Sequence, residues 1–452
     1  MARGSRSLLL VVLALLLAAT GALATLVHQA SPSAVPSGLA VASNAESTAL
    51  YCTGLTGART PSYGHVVFSN LSANARTVAV QVSSSSGQHA TRSLTLAAHT
   101  SKSVAPSTFV TGTAFGVGAV VDGGGVVAQE VATASTAQAP CATAGVTDWY
   151  ASGFDTLVGS SATLSVYNPT ATPAVFNVST YSSTGFAAPA PFQGFSVGAH
   201  DEAVLDLGKE IVNVADIGVH VNVLRGSIVI LGVQQSGPVT SFITGVGAAA
   251  TEAWFPQVTT VKGALAQLRI ANPGDVRAEV TVDVTMGKFT IVPRTLSVPA
   301  YESAVLSITP NTAIPAAGFA SLVLHASQPV VASLASGTTA GIGLSSPATP
   351  SRTFLVADYS GRGFTSATVT NTSTRPVTLS FTRVPMFSSR FATAHAPLAP
   401  GATQAIVTLF GAVSKLHGTT VLVSASRPVI VVAATLPSTP TGVTVVSALN
   451  GG

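Results

Sequence analysis

The chain is poor in charge. Of its 452 residues only 8% are Asp, Glu, Lys or Arg, against about a quarter in an average soluble protein. That scarcity argues against long surface helices, which draw on Lys and Glu. It also argues against a nucleic-acid surface, which needs a concentrated stripe of positive charge. The net charge of +4 arises from 20 basic and 16 acidic residues spread along the chain, and no Lys/Arg cluster follows Arg6.

Cysteine is nearly absent, with two residues, Cys52 and Cys141. Joined to each other, they leave no thiolate for a zinc site. The nine histidines stand at 28, 65, 89, 99, 200, 220, 325, 395 and 417, and no two have H-x-x-x-H spacing. A G-x-S-x-G nucleophile elbow is missing. Gly123-Gly124-Gly125 lacks the Lys-Ser/Thr of a phosphate loop and reads as a hairpin loop between Ala119–Val121 and Val126–Val127. The last hundred residues hold one acid, Asp358, too few for paired-carboxylate glycoside chemistry there. These absences predict a protein that is not an enzyme and carries no cofactor and no metal.

What is present is apolar, at 47%, and rich in small and β-branched residues. That mix suits strands and turns. The exception is the N-terminus. Arg3 and Arg6 precede an uncharged run from Leu8 to Val27. Its length suffices to span a bilayer as a helix, and Ala22-Leu23-Ala24 has a small-x-small cleavage pattern. Residues 1–27 are therefore a signal peptide cut near Ala24 or a retained anchor. Both place the rest outside the cytoplasm, either tethered to the membrane or secreted. An oxidising compartment then favours a Cys52–Cys141 disulfide. Residues 28–48, rich in Ala, Ser and Pro, read as a flexible spacer.

Beyond the spacer the sequence repeats itself. Val66-Val67-Phe68-Ser69-Asn70, Leu164-Ser165-Val166-Tyr167-Asn168, Leu268-Arg269-Ile270-Ala271-Asn272 and Ala367-Thr368-Val369-Thr370-Asn371 each alternate toward a terminal Asn. Alternation marks a strand with one buried face, and Asn suits the turn that follows because its side chain bonds local backbone. A second alternating strand comes next, with Val78 and Val80, Phe176 and Val178, Val280 and Val282, and Leu379 and Phe381. A turn ending in His99, His200, Tyr301 or Gly401 comes later. Apolar strands at Val126-Val127, Ile228–Ile230, Pro329–Val331 and Pro428–Val432 close the units.

The four asparagines stand 98, 104 and 99 residues apart. That period fits an all-β chain of about four tandem immunoglobulin-like β-sandwich repeats, with a β-propeller of two blades per repeat as the runner-up. The expected repeats are 49–144, 145–248, 249–350 and 351–452. Short small-residue joins near Thr143, Ala248 and Ser345 predict independent domains with some bending between them.

The strand–Asn-Pro–strand pattern resembles the immunoglobulin-like modules of bacterial surface proteins. Asn168-Pro169 and Asn272-Pro273 carry it, whereas Asn70-Leu71 and Asn371-Thr372 depart at the proline. With its N-terminal apolar segment, the whole chain resembles an uncharacterised actinobacterial family of exported or membrane-anchored proteins. That resemblance implies fold and location but no activity.

An aromatic residue opens each unit: Tyr51, Trp149, Trp254 and Phe354. As exposed rings they would be glycan-stacking platforms; as buried rings they would cover the ends of their sandwiches. The fullest polar cluster, His200-Asp201-Glu202 with Asp206, coincides with a recurrent turn and reads as exposed. Leu436-Pro437-Ser438-Thr439-Pro440 lacks the Gly and the apolar tail of a cell-wall sorting signal. The expected role is a non-catalytic structural or interaction protein of the cell envelope, and the alternative is a glycan-binding array. The expected partners are the membrane, through a retained helix, and an envelope protein or glycan.

Overall fold

In a computed structural model, the described residues run from 46 to 451, with breaks at 57–63, 133–136, 238, 261, 287–288, 310–313, 316–318, 339–340, 349, 358–365, 386–391, 406–418, 436–443 and 448. The Leu8–Val27 run, Asp358 and Leu436–Pro440 lie outside them. The regular structure of the described residues is almost entirely strand, with three short 3-10 turns and no α-helix.

The first unit holds β1 (Ser47–Thr56), β2 (His65–Asn70), β3 (Arg76–Ser84), β4 (His89–Leu96), β5 (Ser101–Val104), β6 (Ala114–Asp122), β7 (Val126–Val131) and β8 (Gln138–Pro140). They form two antiparallel sheets, β1-β6-β3-β4 and β5-β2-β7-β8. Alternation explains the layering, because successive side chains point to opposite faces. Val78, Val80 and Val82 of β3 and Val117, Ala119 and Val121 of β6 meet Val66, Phe68 and Ala128 from the other sheet in one buried cluster. A single core between two sheets makes each unit a sandwich, not a pair of propeller blades. Cys52 and Cys141 are disulfide-bonded, with Cα atoms 4.5 Å apart.

The second unit repeats the plan with β9 (Asp148–Phe154), β10 (Ser160–Tyr167), β11 (Ala174–Ser182), β12 (Gly185–Ala187), β13 (Phe195–Val197), β14 (Glu202–Asp206), β15 (Ile217–Arg225), β16 (Val229–Ser236) and β17 (Val239–Ile243). Its sheets are β12-β11-β15-β9 and β14-β10-β16-β17. The third unit contains β18 (Ala250–Thr259), β19 (Leu265–Ala271), β20 (Ala278–Met286), β21 (Phe289–Val298), β22 (Ser303–Ser307), β23 (Phe319–Thr338) and β24 (Gly341–Ser345). The fourth contains β25 (Ser351–Ala357), β26 (Ser366–Thr370), β27 (Val377–Pro385), β28 (Ala392–Leu398), β29 (Thr403–Ala405), β30 (Thr419–Thr435), β31 (Thr444–Ser447) and β32 (Leu449–Gly451).

Long strands β23 and β30 belong to both sheets of their units. The first half of β23 pairs with β20, and the second half pairs with β19 and β24. In the first unit the corresponding path is broken at Gly123-Gly124-Gly125. These glycines do not make a hairpin as the sequence suggests. β6 pairs with β1 and β3, whereas β7 pairs with β2 and β8, so the loop is a corner carrying the chain from one sheet to the other. Gly123 and Gly125 take positive φ there, 94° and 82°, which glycine adopts without strain.

The recurrent Asn is buried in all four units and makes the same three amide donations in each, with a hydroxyl donor to its Oδ1 in all but the third, where Gly274 supplies only its amide. In the second, Asn168 Nδ2 donates to the carbonyls of Thr172, Val197 and Gly198, and its Oδ1 accepts from the amide and hydroxyl of Thr170. Asn70, Asn272 and Asn371 make equivalent bonds. Each side chain thus pins its own turn to the turn that ends in His99, His200, Tyr301 or Gly401. Those four residues share a left-handed backbone, with φ of 54°, 57°, 59° and 68°.

Candidate functional site

Polar chemistry in this charge-poor chain concentrates at the joints between units. At the first joint, Glu202 stands at the start of β14 and is buried, contrary to the exposed turn expected from sequence. Its Oε1 accepts from Thr53 Oγ1 of β1 at 2.7 Å and from Ser165 Oγ of β10 at 2.6 Å. The left-handed turn at His200 swings Glu202 inward, toward the neighbouring unit. Burial pushes its carboxyl up to about 7, against the lowering effect of the two hydroxyl donors. Glu130 of β7 is also buried; burial first and the Glu202 carboxyl second raise it well above the usual range, while the Thr53 amide bonds it. Two like-charged groups in low dielectric disfavour each other's ionised forms.

Tyr167, beside Asn168, packs on Gly116 and Gly118 of β6; a side chain at Gly116 would overlap its ring, and one at Gly118 would crowd its hydroxyl. His89 and Asp201 pair across the same joint at 3.2 Å. A shallow cleft, partly open to solvent, runs under the linker, with Thr53, Glu130, Val146 and Trp149 in its wall.

The second joint uses the same surfaces with different chemistry. Arg269 holds the place in β19 that Ser165 holds in β10, three residues before the Asn, and is buried. Its Nη1 donates to Asp155 Oδ2 at 2.6 Å and to the Gly153 carbonyl at 2.9 Å; its Nε lies 2.9 Å from Asp216 Oδ1. Ser152 Oγ donates back to the Arg269 carbonyl. Gly218, the counterpart of Gly116, faces Ala271 as Gly116 faces Tyr167. Leu344 and Ala335 of the third unit complete the core cluster of the second. These contacts correct the expectation of independent, bending domains. The linkers are also held: Ala142, Val246 and Ala348 bridge back to Tyr51, Tyr150 and Trp254.

The unit-opening aromatics fall into two registers. Tyr51 pairs with Gly118, Tyr150 with His220 and Trp254 with Val323, which are equivalent positions on the neighbouring strand. Trp149 and Phe354, opposite Val221 and Val423, lie one residue out of step with them. In a strand one step reverses the face. Trp149 accordingly points into the core and donates Nε1–H to the Thr244 carbonyl. Tyr51 is half-buried at the first joint, 6.4 Å from Tyr167. Trp254 packs on Ile430 and Ala348 at the third joint. The presence of an aromatic near the start of each unit does not fix its register, and Tyr150, not Trp149, is the counterpart of Tyr51.

On the outer faces of the second and third units, residues in the Tyr51 register gather polar partners. Tyr150 stacks on His220 with centroids 4.0 Å apart and planes 3° from parallel. His220 Nε2 and Asn222 Nδ2 each lie 3.2 Å from Asp148 Oδ1. In the third unit, Trp254 donates to Glu252, and His325 lies between Glu252 and Asp283 at 3.8 and 3.6 Å. No group of three or more His, Cys, Asp or Glu among the described residues is placed to hold a metal ion. No helix among them is long and apolar enough to cross a membrane.

No curated protein matches this sequence. Among solved structures, a tetra-tandem repeat in the extending region of a large adhesion protein aligns at 12% identity over 90% of this chain and 100% of that one, with a TM-score of 0.11. An exo-chitosanase of Amycolatopsis orientalis aligns at 11% identity over 48% of this chain and 27% of that one, TM-score 0.15. An α-L-rhamnosidase of Streptomyces avermitilis aligns at 10% identity over 72% and 45%, TM-score 0.16. TM-scores this low carry no functional argument. Residues 125–408, well over half of the sequence, match the family of unknown function DUF5719, and the chain belongs to that family.

Proposed function

We propose that this protein is a non-catalytic interaction protein of the cell envelope, whose four sandwiches form one firm body outside the membrane. The carrying observation is the set of polar locks at the joints. Burying Glu202, Glu130 and Arg269 between units costs desolvation, and an array needing only flexible spacing has no use for it. Fixed joints present outer faces in a constant relation, as a multivalent binder requires. The Cys52–Cys141 disulfide and the Leu8–Val27 run support an oxidising, extracytoplasmic location.

The test is incubation of the purified protein with envelope walls freed of membrane. Saturable retention without release of new reducing ends is expected. Release of reducing sugar would make the protein an enzyme, and absence of retention would remove the envelope-binding role.

A further inference from the structure

We infer that the outer face of the second unit, with the adjoining turn of the third, is a binding site for a neutral polysaccharide. This inference rests on the interaction reading above and names the ligand class.

The face has two parts. One is an aromatic strip. Tyr181 of β11 lies 5.8 Å from Phe186 of β12, and Phe186 meets Tyr301 of the third unit edge-on at 6.2 Å. Phe186 is 54% exposed and Tyr301 44%. Exposed large rings side by side on a soluble surface mark an interaction site. Tyr301 stands in the left-handed turn position that Gly401 fills in the fourth unit. The ring therefore sits on a backbone that glycine takes freely and that His99 and His200 share in the first two units.

The other part is polar. Asp148, His220 and Asn222 are joined through one carboxylate oxygen, beside the Tyr150 ring. Burial lowers the His220 pKa, which outweighs the raising effect of Asp148. A neutral imidazole both donates and accepts. The set therefore offers donors and acceptors together, as sugar hydroxyls require, while rings cover the apolar C–H faces of pyranoses. Tyr181 stands two residues along β11 from Ser179, which is opposite His220 and, across it, Tyr150, so the two parts share one sheet face.

The third unit carries a second, partial version. Glu252-x-Trp254 matches Asp148-x-Tyr150 in register, with His325 beside the acid. The first unit has Ala49-x-Tyr51 and the fourth Thr353-x-Leu355, without the acid. The polar part thus recurs in the two middle units, and the exposed Phe186–Tyr301 pair adjoins only the first of them.

The test is affinity electrophoresis of the full-length protein through gels containing mannan, dextran or arabinogalactan, with oligolysine binding measured in parallel. At least one polysaccharide should retard migration. Tyr301→Gly should weaken retardation about tenfold while leaving the unfolding temperature equal or higher, since glycine relieves the turn. Asp148→Ala, at a half-buried carboxylate, should weaken it similarly. Retardation by none of the three, or retardation unchanged in both variants, overturns the inference. Oligolysine binding without polysaccharide binding overturns it in favour of a basic peptide partner. Continued retention on envelope walls without polysaccharide binding leaves the interaction role standing and removes only the saccharide assignment.

Discussion

One asparagine amide per unit holds two turns together through four or five hydrogen bonds. Asn272→Ala would leave the Val276, Val298 and Pro299 carbonyls without their donor. Each buried acceptor so orphaned costs about 1–3 kcal/mol. The variant should lose at least about 2 kcal/mol by denaturant titration, and Asn272→Asp should fare no better, because a carboxylate would face three carbonyls. At the same scale, Glu202 predicts a pH dependence. Its folded pKa is raised to about 7, so the folded state keeps a proton that the unfolded state gives up. Stability from this group is full below the unfolded carboxyl range, near 4.5, and declines as pH rises through about 7. Glu130 acts in the same direction. Glu202→Gln retains an acceptor for Thr53 and Ser165 without the ionisation. Its melting temperature should vary less between pH 5 and 8 than that of the parent, and equal slopes would refute the assignment. The asparagines were legible in the sequence as turn residues because they close an alternating strand. Glu202 was not, because one acid in a turn reads as solvent-facing until the neighbouring unit covers it.

Strand placement decides what each face does. Alternation located the paired strands around Val78, Phe176, Val280 and Leu379, since period-2 patterning follows directly from the pleat. It could not fix the register of the opening strands, where one step separates Trp149 in the core from Tyr150 on the surface. Nor could it tell a corner from a hairpin at Gly123–Gly125, because both need a residue at positive φ. Arg269 did leave a signal, as the single charge in an apolar strand, on the face opposite Leu268 and Ile270. Arg269→Ala would leave Asp155 and Asp216 facing each other at the second joint without their cation. Breaking a buried pair from one side costs about 3–5 kcal/mol, and hydrogen exchange should report it as faster opening of β9, β15 and β19 than of β3 and β6. Uniform exchange across the chain would mean the joint is not a separate unit of stability.

At the scale of the molecule, the four sandwiches are coupled and do not hang as beads. β17 lies against both β8 and β24, and β31 against both β24 and β8, so the last strands of the units converge. The first unit alone carries a disulfide, closing a separation of 89 residues. In the chain-entropy description such a loop is worth about 4–5 kcal/mol. Reduction, or Cys52→Ser with Cys141→Ser, should therefore lower the unfolding temperature of the whole body and not split off a separate low-temperature transition, because the first joint binds the first unit to the second. A distinct early transition confined to β1–β8 would show that the joints do not couple the units. The number of units was readable from the spacing of four asparagines. Their coupling was not, since the small residues of the linkers look alike whether a joint is loose or packed.

The asparagine clamp also bears on how the protein can be made. The hydroxyl at the second position after Asn serves the clamp: Ser72 donates to Asn70 Oδ1, and Ser373 to Asn371 Oδ1. That hydroxyl makes Asn70-Leu71-Ser72 and Asn371-Thr372-Ser373 acceptor sequences for N-linked oligosaccharide. Pro169 spares Asn168, and Asn272 is followed by Pro273-Gly274, which lacks the hydroxyl residue as well. In the folded molecule the amides are buried and fully engaged, hence out of reach of a transferase. In a eukaryotic secretory host the glycan arrives on the nascent chain, before the turn has closed, and a substituted amide can neither fit the buried space nor donate to three carbonyls. Production by that route should yield modified, unfolded first and fourth units, whereas a bacterial periplasm, which forms the disulfide and leaves asparagine bare, suits this chain.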